Sequence, residues 1–585
     1  MRIWIINPFD QLPNESDVPL RYWALCRTLA AQGHDVIWWS SDFSHLTKTK
    51  RPHCPNTDGF SVRLIETPPY TKNISFARLK NHKAFADGFY RDAMEGLKNG
   101  TLNAPDRIVV SLPPLGVAEQ AFRIRDFVRK AENGNTESGK LEAGNETPNS
   151  QLSTFNSTTP SHCQVVVDIM DAWPETFYQA IPKPLRKCLG PILLAPLHRS
   201  AKRAYHGADK ISAVGQSYLN LAAHYLKQRT GDRGQKTDQS RSCVCHALRV
   251  LQPQHLGAEA TRETTAKARR YGHQPSTNNN NQQPTTPTHL CYHGTDLSRF
   301  QRDRSESETV NSESAQGTED RRQGTEDRRT APPSHDGGYK RKQKSSLNKQ
   351  QATSNKQRPT NTPPLSSQPS ALKSLPSPLR AVYLGAMGSG YDLQTLIDVA
   401  ARWQAEGVFP FQIHFAGDGP LLEKLKLESR KLKLIDASPP LSSLPPQASS
   451  LSTKSSARVV FHGFLKKDAI NDLLLSSHLA LVPNRPGSLV ACPYKAGEYA
   501  AARLPMLSCL GGELGNLLKQ WNAGSEYNEG DAASLHAAFE KYSNDLGILK
   551  QQSLNARNMA EALFDRETTY QELAEFILAN QTATY

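Results

Sequence analysis

The chain has 585 residues, long enough for two or three domains with full cores. Only 37% of residues are hydrophobic and 39 are proline, which predicts folded domains diluted by polar insertions. The formal net charge is +14, but residues 228–380 hold 25 basic and 14 acidic side chains, a surplus of 11. The basicity therefore belongs mainly to an insert with hardly any aromatics to stack bases, which argues against a nucleic-acid-binding protein.

The chain opens on "MRIWIINPFD", a short apolar strand that soon turns polar and does not read as a secretory signal. "VPLRYWALCRTLAAQG" carries apolar residues at helical spacing, and "HDVIWWSS" reads as a second strand. "DRIVVSLPP" and "QVVVDIMD" are later apolar runs that end at polar loops. Strands alternating with helices predict an α/β fold with a parallel, doubly wound sheet, whose ligand crevice lies at the C-terminal strand ends. No run approaches about 18 apolar residues, so no membrane-spanning helix is expected.

Four stretches break the pattern and are expected to be disordered insertions: 131–162, 228–287, 301–377 and 436–456. Nine cysteines are scattered. The nearest pair, Cys243 and Cys245, lies in the second insertion without ligand-spaced histidines, so reduced thiols and no metal site are expected. Order returns near Leu379. "LRAVYLGAMGSGYDLQTLIDVAARW" reads as strand, glycine-rich loop and helix, and "FQIHFAGDGPLLEKLKLESRK" repeats the arrangement. "ARVVFHGFLKKDAINDLLLSSHLALVP" adds two strands and a helix, and the closing segment reads as one or two amphipathic helices. The organisation expected is an N-terminal Rossmann-like domain over 1–300, the insertion 301–377, a second Rossmann-like domain over 378–560, and terminal helices over 561–585 that pack back on the first domain.

Several motifs in this order resemble the GT-B-fold retaining glycosyltransferases of the large family four, closest to members that build bacterial surface polysaccharides. In the first half they are "GHDVIWWSSDFSH", "VVVDIMDAWPE" and "HGTDLSRF". In the second they are "VYLGAMGSGYDLQTL", "FAGDGPL", "VVFHGFL" and "PYKAGEYAAARLPML". The resemblance covers nearly all the sequence outside the insertions. It implies two facing Rossmann-like domains, with a nucleotide-diphosphate sugar bound mainly by the second and an acceptor mainly by the first.

In that family a glutamate in this helix accepts hydrogen bonds from the nucleotide ribose, and the resemblance assigns the role to Glu498. A carboxylate can accept from two neighbouring hydroxyls; otherwise Glu498 is an acid favoured by the helix dipole. The acid usual eight residues earlier is replaced by Val490. Lys495 is a candidate for neutralising the diphosphate, or else a solvated lysine. Arg485 in "PNRPGS" is a further candidate. Glycine loops let backbone N–H groups approach phosphate oxygens. That chemistry singles out Gly385, Gly388, Ser389 and Gly390, while Gly417 and Gly419 either line the base pocket or shape a turn. In the first domain Asp171 and His45 are the catalytic or sugar-contact candidates, with an Asx turn as the alternative for Asp171. Arg21 is a candidate for the acceptor side. So are Arg186 and Lys187, in a basic amphipathic stretch, "IPKPLRKCLGPILLAPLHRSAKRAYHG", of the kind that rests on anionic membranes.

The function expected is hexosyltransferase-like transfer from a nucleotide sugar to a glycan or polyprenyl-diphosphate-linked acceptor, with retention, no cofactor and no metal. The expected location is the cytoplasm or the inner face of the plasma membrane. A GT-B nucleotide-sugar epimerase or hydrolase, and a catalytically silent nucleotide-sugar-binding scaffold, are the alternatives.

Overall fold

A computed structural model describes residues 1–16, 19–52, 54, 58–73, 75–138, 163–227, 286–300, 378–435 and 458–580. The insertions expected at 301–377 and 436–456 lie outside these residues, as do nearly all of 228–287 and the Cys243–Cys245 pair. The first insertion was placed too early. Residues 131–138 continue a helix that runs from Leu115 to Ser138, because extending a formed helix adds one hydrogen bond for each residue fixed.

The first sheet has seven parallel strands in the order β3-β2-β1-β4-β5-β6-β7. They are β1 (Arg2–Ile6), β2 (Asp35–Ser41), β3 (Ser61–Ile65), β4 (Arg107–Leu112), β5 (Gln164–Ile169), β6 (Lys210–Ala213) and β7 (Thr288–Leu290). Helices α1 (Arg21–Ala31), α2 (Phe76–Lys98), α3 (Leu115–Ser138), α4 (Arg186–Gly207) and α5 (Gln216–Lys227) cross between them. The second sheet has six parallel strands in the order β10-β9-β8-β11-β12-β13. These are β8 (Leu379–Leu384), β9 (Phe411–Ala416), β10 (Val459–Gly463), β11 (Leu479–Val482), β12 (Met506–Ser508) and β13 (Gly524–Glu526). Its helices are α6 (Leu393–Glu406), α7 (Leu422–Lys431), α8 (Lys467–Leu475), α9 (Tyr494–Ala501), α10 (Gly512–Trp521), α11 (Ala532–Asn544) and α12 (Leu546–Leu563), followed by α13 (Arg566–Leu578). Both orders reverse direction at the first strand, so each half is a Rossmann-like doubly wound domain, and together they make the two-domain GT-B architecture.

Each sheet is covered on both faces, which is why its strands read as unbroken apolar runs. Side chains alternate along a strand. On β1, Trp4 and Ile6 join the core with Phe85 and Phe89 of α2, while Ile3 and Ile5 join Leu25 and Leu29 of α1. Tyr570, Leu573, Ala574 and Ile577 of α13 complete that second core, so the last helix packs on the first domain. Its C-terminal carbonyls are held by cations, as the helix dipole favours. Arg107 Nε donates to the Ile577 carbonyl at 2.9 Å and Lys210 Nζ to that of Phe576 at 2.6 Å.

One ion pair joins these parts. Arg21 at the start of α1 is 1% exposed and makes a two-pronged contact with Asp168 on β5, Nε to Oδ2 at 2.8 Å and Nη2 to Oδ1 at 3.0 Å. Tyr22 Oη and Ser212 Oγ each donate to the same carboxylate at 2.7 Å. Arg21 Nη1 also donates to the Cys291 carbonyl at 3.0 Å. The pair lowers the Asp168 carboxyl below its usual range despite burial, which acts the other way. Replacing Asp168 with Asn leaves Arg21 buried without its counter-charge. The unfolding free energy is then expected to fall by about 3–5 kcal/mol in urea titrations. A loss under about 1 kcal/mol, the range of an exposed pair, would show that the contact is not structural.

Candidate functional site

The crevice of the second domain lies at the C-terminal ends of the neighbouring strands β8 and β11, where the strand order reverses. The loop after β8 is laced to the loop after β9: Gly385 N donates to the Ala416 carbonyl and Met387 N to that of Asp418, both at 2.8 Å. This close approach requires glycine on the partner loop. A Cβ at Gly417, where φ is +134°, would overlap the Gly385 carbonyl, and one at Gly419 would stand 2.6 Å from the Met387 nitrogen. Gly417 and Gly419 therefore shape a turn. Gly388 and Gly390 differ. Their φ values are ordinary, and a Cβ at either would meet nothing within 4 Å. No packing among the described residues calls for glycine there, and the loop presents a bare backbone before α6.

Lys495 on α9 reaches this loop from below. Its Nζ donates to the Leu384 carbonyl at the end of β8, lies 5.7 Å from the Tyr383 ring centre, and would be struck by a Cβ at Gly385. Burial lowers its ammonium to about 8, with Glu498 opposing the shift. Glu498, one turn along the helix, accepts from Arg299 Nη1 at 3.2 Å, and Arg299 Nη2 donates to Asn471 Oδ1 at 2.7 Å. Thus "HGTDLSRF" supplies a partner for the proposed ribose ligand. Arg485 is engaged behind the loop: Nε donates to the Ser389 carbonyl at 3.1 Å, Nη1 pairs with Glu529, and Nη2 lies 3.7 Å from Asp392. These contacts make it a brace for the glycine loop. Val490 leaves an apolar side chain, 36% exposed, at the position where the resembling family carries an acid.

In the first domain the expected residues separate. Arg21 is buried in its ion pair and is removed from the acceptor side. Asp171 is satisfied by its own loop, accepting from Ala172 N at 2.8 Å, Trp173 Nε1 at 3.1 Å and Thr176 Oγ1 at 3.2 Å. Its carboxylate is thus engaged locally, by the next residue's N–H and two side chains rather than by the i+2 backbone bond of an Asx turn. His45 is half-buried beside Tyr70 and Lys48, and burial with nearby Arg78 and Lys48 lowers it to about 4. It sits in a cluster that sequence patterns did not reveal, made by Phe9, Tyr70, Arg78, His82 and Trp173. The ring centres of Phe9 and His45 are 5.4 Å apart, those of Phe9 and His82 5.3 Å, and those of His82 and Trp173 5.2 Å. These residues come from separate loops and one helix, so no local motif contains them.

The domains meet at a carboxylate also missed in the sequence. Glu513 on α10 accepts from Gln216 N at 2.7 Å, Ser217 N at 3.0 Å, Ser217 Oγ at 2.8 Å and Tyr292 Oη at 2.7 Å. An acid of one domain thus caps the first turn of α5 in the other. Tyr218 Oη adds a bond to the Leu489 carbonyl at 3.2 Å. On α4, Arg186 Nε donates to the Ile181 carbonyl at 2.7 Å, while Lys187 is exposed. Leu185, Leu189, Ile192 and Leu193 are exposed on the same helix or just before it, the last two at 71% and 61%. Among the described residues no cluster of three or more His, Cys, Asp or Glu side chains could hold a metal ion, and no helix is long and apolar enough to cross a membrane.

No protein-family model matches the chain, and no curated protein matches its sequence. Solved structures resemble it distantly. Anabaena HepE in complex with UDP and glucose is 11% identical, with 99% of each chain covered and a TM-score of 0.46. The sucrose-phosphate synthase of Thermosynechococcus elongatus is 12% identical, with 98% of each chain covered and a TM-score of 0.49. WaaG, a glycosyltransferase involved in lipopolysaccharide biosynthesis, is 10% identical, covers 99% of this chain and 100% of its own, and has a TM-score of 0.48. The two-sheet architecture described above stands on its own strand pairings.

The two kinds of glycine make opposite predictions. Gly417→Ala is expected to lower the melting temperature by several degrees, because backbone must move to admit the methyl group. Gly388→Ala is expected to leave it within about a degree, since open space receives the methyl group and surface changes are usually small. Differential scanning calorimetry of both variants decides the point; equal shifts would contradict it.

Proposed function

We propose that the protein is a glycosyltransferase that moves a sugar from a nucleotide-diphosphate sugar to a glycan or polyprenyl-diphosphate-linked acceptor in cell-surface polysaccharide biosynthesis. The observation that carries the reading is the open backbone at Gly388 and Gly390, in the loop whose first residue, Gly385, lies against the Lys495 ammonium at the switch point of a Rossmann-like sheet. Backbone N–H groups and the α6 dipole offer hydrogen bonds to a diphosphate. Lys495, cationic at neutral pH, adds a point charge where negative charge builds as the sugar departs. Glu498 accepts from the ribose hydroxyls, oriented by Arg299.

In this reading the sugar leaves through an oxocarbenium-like state, and the acceptor attacks on the face the diphosphate vacates, with retention. Charge stabilisation at the leaving group supplies more of the rate than a strong base would. The neutral His45, in the first domain, is available to an acceptor hydroxyl. No metal or organic cofactor enters the scheme; the nucleotide sugar is a substrate. A panel of nucleotide sugars in a thermal-shift assay is expected to contain at least one that stabilises the protein, by about 2.7 kcal/mol at a hundredfold excess over Kd. Lys495→Met is expected to weaken that ligand about tenfold or more. If no nucleotide sugar stabilises the wild-type chain, the reading fails.

Helix α4 supports a peripheral place on the inner leaflet. Exposed Leu189, Ile192 and Leu193 beside Lys187 and Arg199 combine apolar anchors with positive charge, as interfacial helices do. Sedimentation with vesicles containing anionic lipid is expected to recover the wild-type protein. The triple change Leu189→Ser, Ile192→Ser and Leu193→Ser is expected to reduce recovery severalfold; equal recovery with neutral vesicles or with this variant would remove the membrane from the account.

A further inference from the structure

The first domain holds a built site that the donor chemistry does not use. It is formed by Phe9 after β1, His45 and Lys48 after β2, Tyr70 after β3, Arg78 and His82 on α2, and Trp173 after β5. The Arg78 guanidinium is held between two aromatic faces, 5.5 Å from the Phe9 ring centre and 5.2 Å from that of Trp173. Its Nη1 donates to the Asn73 carbonyl at 2.8 Å and its Nε to His82 Nε2 at 3.2 Å. Arginine can only donate, so His82 Nε2 accepts and the ring proton sits on Nδ1. That Nδ1 is buried and has no hydrogen-bond partner among the described residues. Lys48 Nζ, another obligate donor, lies 3.4 Å from His45 Nδ1 and 4.6 Å from the Tyr70 ring centre.

Charge in this site is one-sided. Burial and neighbouring cations lower His45 to about 4 and His82 to about 3, so both imidazoles are neutral at physiological pH. The carboxylate acting on Arg78 is Asp171, and its oxygens are already taken up by Ala172, Trp173 and Thr176. Arg78 remains as a cation against the Phe9 and Trp173 rings, and Lys48 as one over the Tyr70 ring, its Nζ also donating to the neutral Asn73 Oδ1 at 2.7 Å. A guanidinium fixed between aromatic faces is positioned in advance for an oxyanion, and the rings exclude water from the contact.

We propose that this site binds an anionic group on the acceptor, a phosphate or a carboxylate, with Arg78 as its principal ligand and Lys48 as a second cation. The inference rests on the reading that the first domain receives the acceptor. It makes the acceptor a charged glycan or a phosphorylated lipid, and excludes a neutral sugar as the preferred partner.

Calorimetric titration of the full-length protein tests it with four probes: methyl glucoside, glucuronate, glucose 1-phosphate and farnesyl diphosphate. At least one anionic probe is expected to bind about tenfold or more tightly than methyl glucoside. Which one binds distinguishes a carboxylate, a sugar phosphate and a lipid diphosphate. Arg78→Gln is expected to cost about tenfold in that affinity and Lys48→Gln about threefold, with UDP and GDP binding measured alongside and unchanged. Lys495→Met is expected to retain the anionic probe, which keeps it apart from the donor loop. Equal binding of the neutral probe, loss of the anionic probe in Lys495→Met, or undiminished binding in both Arg78→Gln and Lys48→Gln would overturn the proposal. Should Arg78→Gln fail to fold, Lys48→Gln decides. Failure of every nucleotide to bind the wild-type chain, with the anionic probe still bound, would instead overturn the donor reading.

Discussion

The Arg21–Asp168 pair ties α1, β5 and β6 of the first domain to the segment that leaves it. Two charges removed from water repay their desolvation only with close geometry and further hydrogen bonds. Here the two-pronged contact is supplemented by Tyr22, Ser212 and the Cys291 carbonyl. Those partners belong to α1, β6 and the segment that leaves the first domain. Asp168 stands three residues before Asp171 and five before Trp173, so the pair also fixes where the β5 loop begins. The guanidinium further lies 5.8 Å from the ring centre of Tyr570 on α13, which brings the end of the chain to the same point. Arg21, expected on the acceptor side, thus anchors the start of the β5 loop instead.

A second constraint operates in the other domain. Gly417 and Gly419 allow the β9 loop to lie against the β8 loop, and three backbone hydrogen bonds between Gly385, Met387, Leu421 and their partners lock the contact. Beyond that contact, the carbonyls of Gly388, Ser389 and Gly390 accept from Tyr391 N, Arg485 Nε and Arg485 N, so the span is held along its length. Under the proposed function a phosphate-sized group would meet a preorganised backbone there, with little ordering left to oppose its binding.

The alternation of apolar runs with helical patterns made the two doubly wound sheets legible, because parallel strands buried on both faces carry an uninterrupted hydrophobic signature. β1, β2, β4, β5 and β8 follow the quoted runs closely. The short glycine loop and the placement of Lys495 and Glu498 on one helix were legible for a related reason: each is local, spanning a few residues on one loop or helix turn. What could not be read was set by tertiary contact. Arg21 looks solvent-facing at a helix start until Asp168, 147 residues later, is placed against it. Arg78 and His82 lie on α2 at ordinary helical spacing, and only the sheet order brings Phe9, Tyr70 and Trp173 around them. Glu513 gives no sign in "GGELGNLL" that it caps a helix of the other domain. The polar tract after Lys130 misled because composition does not mark the residue at which an established helix stops.

The disposition of charge across the cleft bears on what chemistry it suits. Its carboxylates are committed: Glu498 to Arg299, Asp171 to its own turn, and Glu513 to the N-terminus of α5. Its cations are less so. Lys495 holds one backbone carbonyl at the base of an open loop, and Arg78 is held by rings and a neutral histidine in place of an acid. Two histidines that a proton-transfer enzyme would keep near neutrality are instead driven well below it by burial and by the cations beside them. Such an arrangement leaves the two histidines of the first-domain cluster outside the range in which they would exchange protons with a substrate at neutral pH. It suits a reaction whose demand is to bind and stabilise anions, one on the departing diphosphate and one on the acceptor, with the sugar passing between them.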